Sequence, residues 1–325
     1  MKYKPLTSIV VSLSVLAMLL SGCSNLPRTR KSTEDQPKTY VAVGIVPLAT
    51  FVQKVGGDQV SVMTMIPPGN SPANYQPSSQ EMQALEEAAL YFSLQMPTET
   101  ANILPKLADY SSTMRIVDLQ KAVADAYPLL AVSSSHDEQQ DGNEAEEDVT
   151  DGSVGADTHE QAEGSVDPHV WLSPRRVAIM VQRIADELAG LDPDHADMFQ
   201  SNAAAYISEL KSLDQEISKQ LAGLKQKSFL IYHGSYSYFA DDYGLDMIAI
   251  EIAGKQATPA ELQHVIQYAK DHSIKTVFYQ QEFDDQQAET VAEEIGGRAE
   301  QVAPLSSDYI GSLRAMVAAL VKAEQ

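Results

Sequence analysis

The chain is poor in cysteine, in basic residues and in the short motifs of enzymes, and each shortage removes a class of function. Cys23 is the one cysteine among 325 residues, so there is no intramolecular disulfide, no CxxC zinc knuckle and no thiol pair for redox chemistry. A metal held here must rely on His, Asp and Glu. Lys and Arg number 23 against 45 Asp and Glu, a formal net charge of −22. That balance repels nucleic acid and anionic lipid and makes cations the natural ligands. HExxH, GxSxG and P-loop patterns are all missing, and the chain reads as a non-enzyme. Its length exceeds one ordinary core and implies two lobes of roughly 100 to 200 residues each.

Residues 1–22 read as a signal peptide. Lys2 and Lys4 precede an uncharged stretch from Leu6 to Leu20, short of the roughly 20 residues that span a bilayer. Leu20-Ser21-Gly22-Cys23 resembles the lipobox of bacterial lipoproteins, which implies cleavage before Cys23 and a diacylglycerol on its sulfur, holding the protein to a membrane face. Residues 23–38 then serve as a lipidated tether. A plain hydrophobic anchor ending at a chance cysteine is the alternative.

From Thr39 onward strand and helix signals alternate. Apolar, β-branched runs at Tyr40–Val46, Val60–Ile66 and Leu90–Leu94 are separated by helical spacing at Leu48–Val55 and by a helix that the Ser78/Glu81 capping box opens and that runs through Ala89. That order predicts parallel βαβ units. Residues 133–167 carry twelve Asp or Glu and no Lys or Arg, the composition of a disordered, solvated loop. Val177, Val181, Ile184 and Leu188 recur at helical spacing, and beyond Asp192-Pro193 the pattern continues from Met198 to Leu221. A helix of about 25 residues there is long enough to cross the protein. Strands at Phe229–Tyr232, Met247–Ile250 and Ile274–Tyr279 repeat the first lobe's order, with a second capping box at Thr258/Glu261. The expected fold is α/β: two βα lobes with parallel sheets joined by one long rigid helix. The N-terminal lobe covers 39–173, the connecting helical region 174–224 and the C-terminal lobe 225–325.

Seven histidines are the informative residues. His195, His264 and His272 lie in or beside helices among polar neighbours and read as surface; His136 and His159 fall in the acidic loop, where they trap cations only loosely. His233 directly follows a strand, and open parallel sheets bind ligands in the crevice outside the carboxyl ends of their strands. Tyr236, Tyr238 and Phe239 are expected to wall that crevice. A buried ring bonded to a backbone carbonyl is the alternative at this position. His169 lies in Asp167-Pro168-His169-Val170-Trp171-Leu172-Ser173-Pro174, where two prolines fix the backbone and Trp171 anchors it; the alternative is a rigid turn whose ring faces solvent. Imidazole and carboxylate donors serve zinc, iron and manganese.

These stretches, together with Pro67-Pro68-Gly69, Ser71-Pro72-Ala73-Asn74-Tyr75-Gln76-Pro77, Tyr232-His233, Tyr238-Phe239, Tyr243-Gly244-Leu245 and Pro304-Leu305, resemble the metal-specific substrate-binding lipoproteins of bacterial ABC importers over nearly the whole mature chain. The resemblance implies a metal bound in the cleft between the lobes, with His169 and His233 at ligand positions. It implies an extracytoplasmic, lipid-anchored monomer that delivers the ion to an ABC permease. A histidine at position 233 is more typical of the zinc branch than of the manganese branch.

Two positions depart from the family pattern. Ala73 stands where a histidine is usual, with Gln76 in place of its acidic neighbour, and Ala303 stands where a carboxylate is usual. Three local substitutes offer themselves. Glu251, at the end of the strand Met247–Ile250, is placed first; Asn74 beside the missing histidine and Glu282 after the strand Ile274–Tyr279 follow. Each also reads as a plain exposed polar residue. The expected function is capture of a divalent metal ion, zinc foremost, for import. The alternative is a binding or adhesin-like protein of the same fold whose site is degenerate or repurposed, because two usual ligands are gone.

Overall fold

Two four-stranded parallel sheets repeat one topology. The first contains β1 (Thr39–Val43), β2 (Val60–Thr64), β3 (Leu90–Ser93) and β4 (Arg115–Asp118) in the order β2-β1-β3-β4. The second contains β5 (Ser228–Ile231), β6 (Asp246–Ala249), β7 (Thr276–Gln280) and β8 (Arg298–Val302) in the order β6-β5-β7-β8. Every pairing is parallel. The inner strands are short apolar runs; all four residues of β3 and of β5 are buried. In each sheet the chain adds a strand on one side of the first and then crosses to the other side. That places a topological switch point between β1 and β3 and another between β5 and β7, where sheets of this kind hold their ligands.

The computed structural model describes residues 38–132, 165–251, 255–283 and 286–324, and residues 38–325 form one compact unit. Cys23, His136 and His159 lie outside the described residues. No helix among the described residues is long and apolar enough to cross a membrane.

Local chemistry explains where the helices begin. Helix α1 (Val46–Gly56) has Pro47 in its first turn and buries Leu48, Phe51, Val52 and Val55; it ends at Gly57, whose φ of 54° suits glycine. Helix α2 (Ser79–Gln83) opens on the expected capping box, with the Ser78 amide donating to Glu81 Oε2 at 2.7 Å. It is shorter than expected and passes into a 3-10 turn over Ala84–Glu87, just before β3 begins. Helices α3 (Leu107–Tyr110) and α4 (Leu119–Ala124) flank β4. Helix α5 (Pro174–Leu191) is capped by Ser173, and α6 (Ala196–Leu221) is the long helix, 26 residues, or about 39 Å at 1.5 Å per residue. The remaining helices are α7 (Ser237–Tyr243), α8 (Pro259–Asp271), α9 (Gln286–Glu294) and α10 (Tyr309–Ala323).

The two lobes share one wall. Helices α5 and α6 pack side by side, and α6 lies against α1 of the first lobe and α10 of the second. One apolar core runs from Val41 and Val43 through Val181, Ile184, Leu210 and Leu213 to Phe229 and Leu313. Arg176, 1 % exposed, ties the start of α5 to α7: its Nη1 donates to Asp242 Oδ1 at 2.5 Å, its Nη2 lies 3.4 Å from Asp241, and its guanidinium sits over the Tyr238 ring at 4.7 Å. Such a desolvated, multiply bonded guanidinium fixes geometry more than it adds stability.

Candidate metal-binding cleft

A cavity of about 20 Å³ opens between the lobes at the carboxyl ends of both sheets. The first lobe contributes Ser71, Pro72 and Ala73 from the segment after β2, and Met96 and Pro97 after β3. The second contributes His233 and Ser235 after β5, Gln280 at the end of β7 with Glu282 and Phe283 beyond it, and Pro304 and Leu305 after β8. His169 and Trp171, from the turn that leads into α5, complete the lining. This volume accommodates one ion or one water. An organic solute ordinarily needs a site of about 300 to 1,000 Å³.

His169 is 6 % exposed and firmly held, not a solvent-facing ring. Asp167 Oδ1 accepts from its backbone amide at 2.8 Å and lies 2.7 Å from its Nδ1. Asp167 is fixed in turn: its amide donates to the Leu130 carbonyl at 2.8 Å, and its carbonyl accepts from the Tyr238 hydroxyl at 2.8 Å. Burial pushes the Asp167 carboxyl up, but the His169 ring and amide and the Ser237 side chain outweigh it and hold the group below the usual carboxylate range. Trp171 donates from Nε1 to the Pro304 carbonyl at 3.0 Å, linking this turn to the second lobe.

His233 arrives from the opposite side. Its Nδ1 lies 2.9 Å from Glu251 Oε2, and its ring stacks on Phe283 with centroids 4.6 Å apart. Gln280 clamps its backbone, donating to the His233 carbonyl at 2.7 Å and accepting from its amide at 3.3 Å. The ring is therefore not spent on a backbone carbonyl. With a carboxylate accepting from each Nδ1, the neutral form of each ring presents its lone pair at Nε2. The two Nε2 atoms face each other across 3.2 Å. Two lone pairs at that distance repel unless a positive charge, a proton or a metal ion, lies between them. Two imidazole ligands of one tetrahedral zinc, each about 2.0–2.1 Å from the metal, are about 3.3 Å apart.

The other expected site residues are distributed differently. Glu251 is 7 % exposed and reaches His233 from the end of β6, meeting its Nδ1 side; it does not line the cavity. Asn74 is exposed and does not line the cavity, because the turn in which the Asn74 and Tyr75 amides donate to the Ser71 carbonyl carries it outward. Glu282 does line the cavity. Tyr236, Tyr238 and Phe239 are fully buried in the core instead of walling the crevice; Trp171, Phe283 and the prolines take that role. His264 and His272 are exposed, and His195, half-buried, lies 2.7 Å from Asp192. Among the described residues no three His, Cys, Asp or Glu side chains already converge as a metal cage. Asp167 and Gln280 were not anticipated as supports of the two rings. The signal for the first was present, since an aspartate two residues before a histidine across a proline is well placed to bond its ring.

Two parallel-sheet lobes with a cleft lined from the carboxyl ends of both sheets define a two-lobed α/β protein. The chain belongs to the family of the zinc-uptake complex component A, periplasmic (ZnuA), whose model matches residues 41–323. It is 31% identical over 296 residues to the zinc-binding lipoprotein AdcA of Streptococcus pneumoniae (strain ATCC BAA-255 / R6), an alignment that covers 90% of this chain and 54% of AdcA. The chain thus spans about half the length of the curated relatives it matches. A crystal structure of ZnuA superposes with a TM-score of 0.76 at 31% identity, covering 89% of this chain and 100% of the other. A ZnuA deletion mutant with zinc bound gives the same TM-score and identity, over 89% and 99% of the two chains.

Proposed function

We propose that this protein captures a divalent metal ion, zinc foremost, outside the cytoplasm and delivers it to an ABC permease without any covalent change. His169 and His233 supply Nε2 donors, and Asp167 and Glu251 orient the two rings and raise their basicity, as partners of metal-bound imidazoles do. The observation that carries the reading is the pair of Nε2 atoms 3.2 Å apart in a cavity of about 20 Å³. Two imidazoles suit zinc better than the harder manganese ion. Zinc in the names of the relatives agrees with this. The repurposed-site alternative has less support, because both rings keep their places despite Ala73 and Ala303. Residues 1–22 act as a signal peptide, Cys23 carries the lipid, residues 23–38 are the tether, and the protein works as a monomer.

The test is a zinc titration of chelator-treated protein without residues 1–22, by calorimetry and by competition with a zinc-sensitive dye. One equivalent of zinc is expected to bind tightly, and His169→Ala or His233→Ala should each weaken it at least 100-fold. Absence of both heat and competition in the unmodified sequence sinks the proposal.

A further inference from the structure

The cleft has a donor deficit on one side and a surplus charge on the other. With Ala73 lining the cavity and Ala303 beside its other wall, neither position offers a donor. Among the side chains that line the cavity, the two imidazoles are the ones whose donor atoms already meet at one point, whereas zinc takes about four donors. Glu282, half-buried, lines the same cavity, and both of its carboxylate oxygens are closed off from solvent with no partner at full hydrogen-bond geometry, its own amide and the Gln281 side chain being only loosely placed. Burial raises this carboxyl, with only its own backbone amide, the Gln281 side chain and the nearby His233 in opposition. An ionised carboxylate in that state is strongly unfavourable unless a cation accompanies it.

The position is tied to the histidine through the chain. Glu282 lies two residues beyond the end of β7, between Gln280, which clamps the His233 backbone, and Phe283, which stacks on its ring. Any ion seated at the His233 Nε2 is therefore within the same pocket as this carboxylate. We propose that Glu282 is the third protein donor to the metal, replacing the donors missing at Ala73 and Ala303 and leaving one coordination position to water. The inference rests on the capture reading above. No three ligating side chains converge in the described conformation, so rotation of the Glu282 side chain accompanies binding. A site of two histidines and one carboxylate with an open fourth position keeps the ion exchangeable, which suits a cargo that must be surrendered.

The experiment compares the chelator-treated protein with Glu282→Gln and Glu282→Ala in zinc competition titrations and in thermal melts with and without zinc. Cobalt absorption spectra report the coordination sphere directly. Zinc affinity is expected to fall at least 10-fold in both variants, the zinc-induced rise in melting temperature to shrink, and the cobalt bands to change. The metal-free variants should melt no lower than the parent, since a desolvated carboxylate with only loosely placed partners has been removed. Tight zinc binding by the parent with affinities within twofold and unchanged cobalt bands in both variants overturns the role of Glu282 and leaves the capture reading intact. A metal-free melting temperature that drops while affinity holds assigns Glu282 to structure alone and overturns the proposal too. Failure of the parent itself to bind zinc is seen before any variant is compared, and both proposals then fall.

Discussion

Glu251 stands behind His233 as Asp167 stands behind His169, a carboxylate oxygen 2.9 Å from the ring Nδ1 in one case and 2.7 Å in the other. The two pairs come from different lobe connections, Glu251 beyond β6 and Asp167 from the turn before α5, yet they produce the same result. Each ring is fixed in orientation and tautomer so that its Nε2 faces the cavity. Glu251→Gln and Asp167→Asn preserve shape and remove charge, and each is expected to weaken zinc binding about 10- to 100-fold. Asp167→Asn should be the more damaging, because the same oxygen also holds the His169 amide. Dye competition measures both; equal affinity in all three proteins would exclude an orienting role.

Arg176 supplies a prediction about the junction of the lobes. Both Arg176 and Asp242 have nearly inaccessible side chains, and Ser173, the cap of α5, bonds the same aspartate. Arg176→Ala leaves Asp242 buried with Arg175, at 4.0 Å, as its one cationic neighbour among the described residues. Loss of one partner of a buried pair costs about 3 to 5 kcal/mol. Urea unfolding of metal-free protein is the check, and a change below about 1 kcal/mol would show that the pair is better solvated than its burial indicates.

Much of this architecture is legible in the residues themselves. Inner strands such as Leu90–Ser93 are continuous apolar runs, and the Ser78/Glu81 and Thr258/Glu261 capping boxes mark helix starts without ambiguity. Strands β4 and β8 escape detection because Arg115, Asp118, Arg298 and Glu300 make these edge strands polar, one way an edge avoids pairing with other chains, whereas the opposite edges β2 and β6 keep apolar runs. His169 and His233 stand out through the prolines around one and the strand before the other. The side of His233 on which Glu251 arrives is not legible, because it depends on how β6 lies beside β5, a tertiary relationship with no local signature. For the same reason the aromatic residues after His233 fill the core instead of the expected crevice wall: the direction of α7, which turns them inward, has no local signature.

The acidic segment is flanked by two chain ends that meet. Ala131 and Val166 form an antiparallel bridge, with the Val132 amide donating to the Ser165 carbonyl at 2.7 Å and the Asp167 amide to the Leu130 carbonyl at 2.8 Å. Replacing residues 134–163 by a four-residue Gly/Ser turn should therefore leave these flanking contacts in place. Stability should be unchanged or higher by up to about 2 kcal/mol, the loop-closure entropy recovered. Tight zinc affinity should persist, while weak additional zinc equivalents disappear. Extending the deletion through Asp167 should abolish tight binding. Loss of the tight site in the shorter deletion would mean that the segment itself contributes ligands.

Glu99 gives the protein a pH dependence of unusual sign. Its carboxylate is fully buried under the wall of the cleft, with Oε2 accepting from the Met96 and Leu94 amides at 2.9 and 3.0 Å and from Ser93 Oγ at 3.1 Å, while Oε1 accepts from the Tyr91 hydroxyl at 3.0 Å. Burial nonetheless dominates and pushes the group up from 4.5 to about 7. Between those two values the folded protein retains a proton that the unfolded chain has released. Stability contributed by this residue therefore falls as pH rises from about 4.5 to about 7 and is level above that, by an amount on the order of 3 kcal/mol in total. Asp167, whose carboxyl is lowered, acts with the opposite sign, but only at more acidic pH. Glu99→Gln keeps the shape and a neutral acceptor for the two amides, so subtracting its unfolding free energies from those of the parent, both metal-free, isolates the residue. The difference should decline steadily across pH 5 to 7 and then flatten. A flat difference throughout would mean that Glu99 is ionised in the folded state, with the Leu94 and Met96 amides compensating its burial in full.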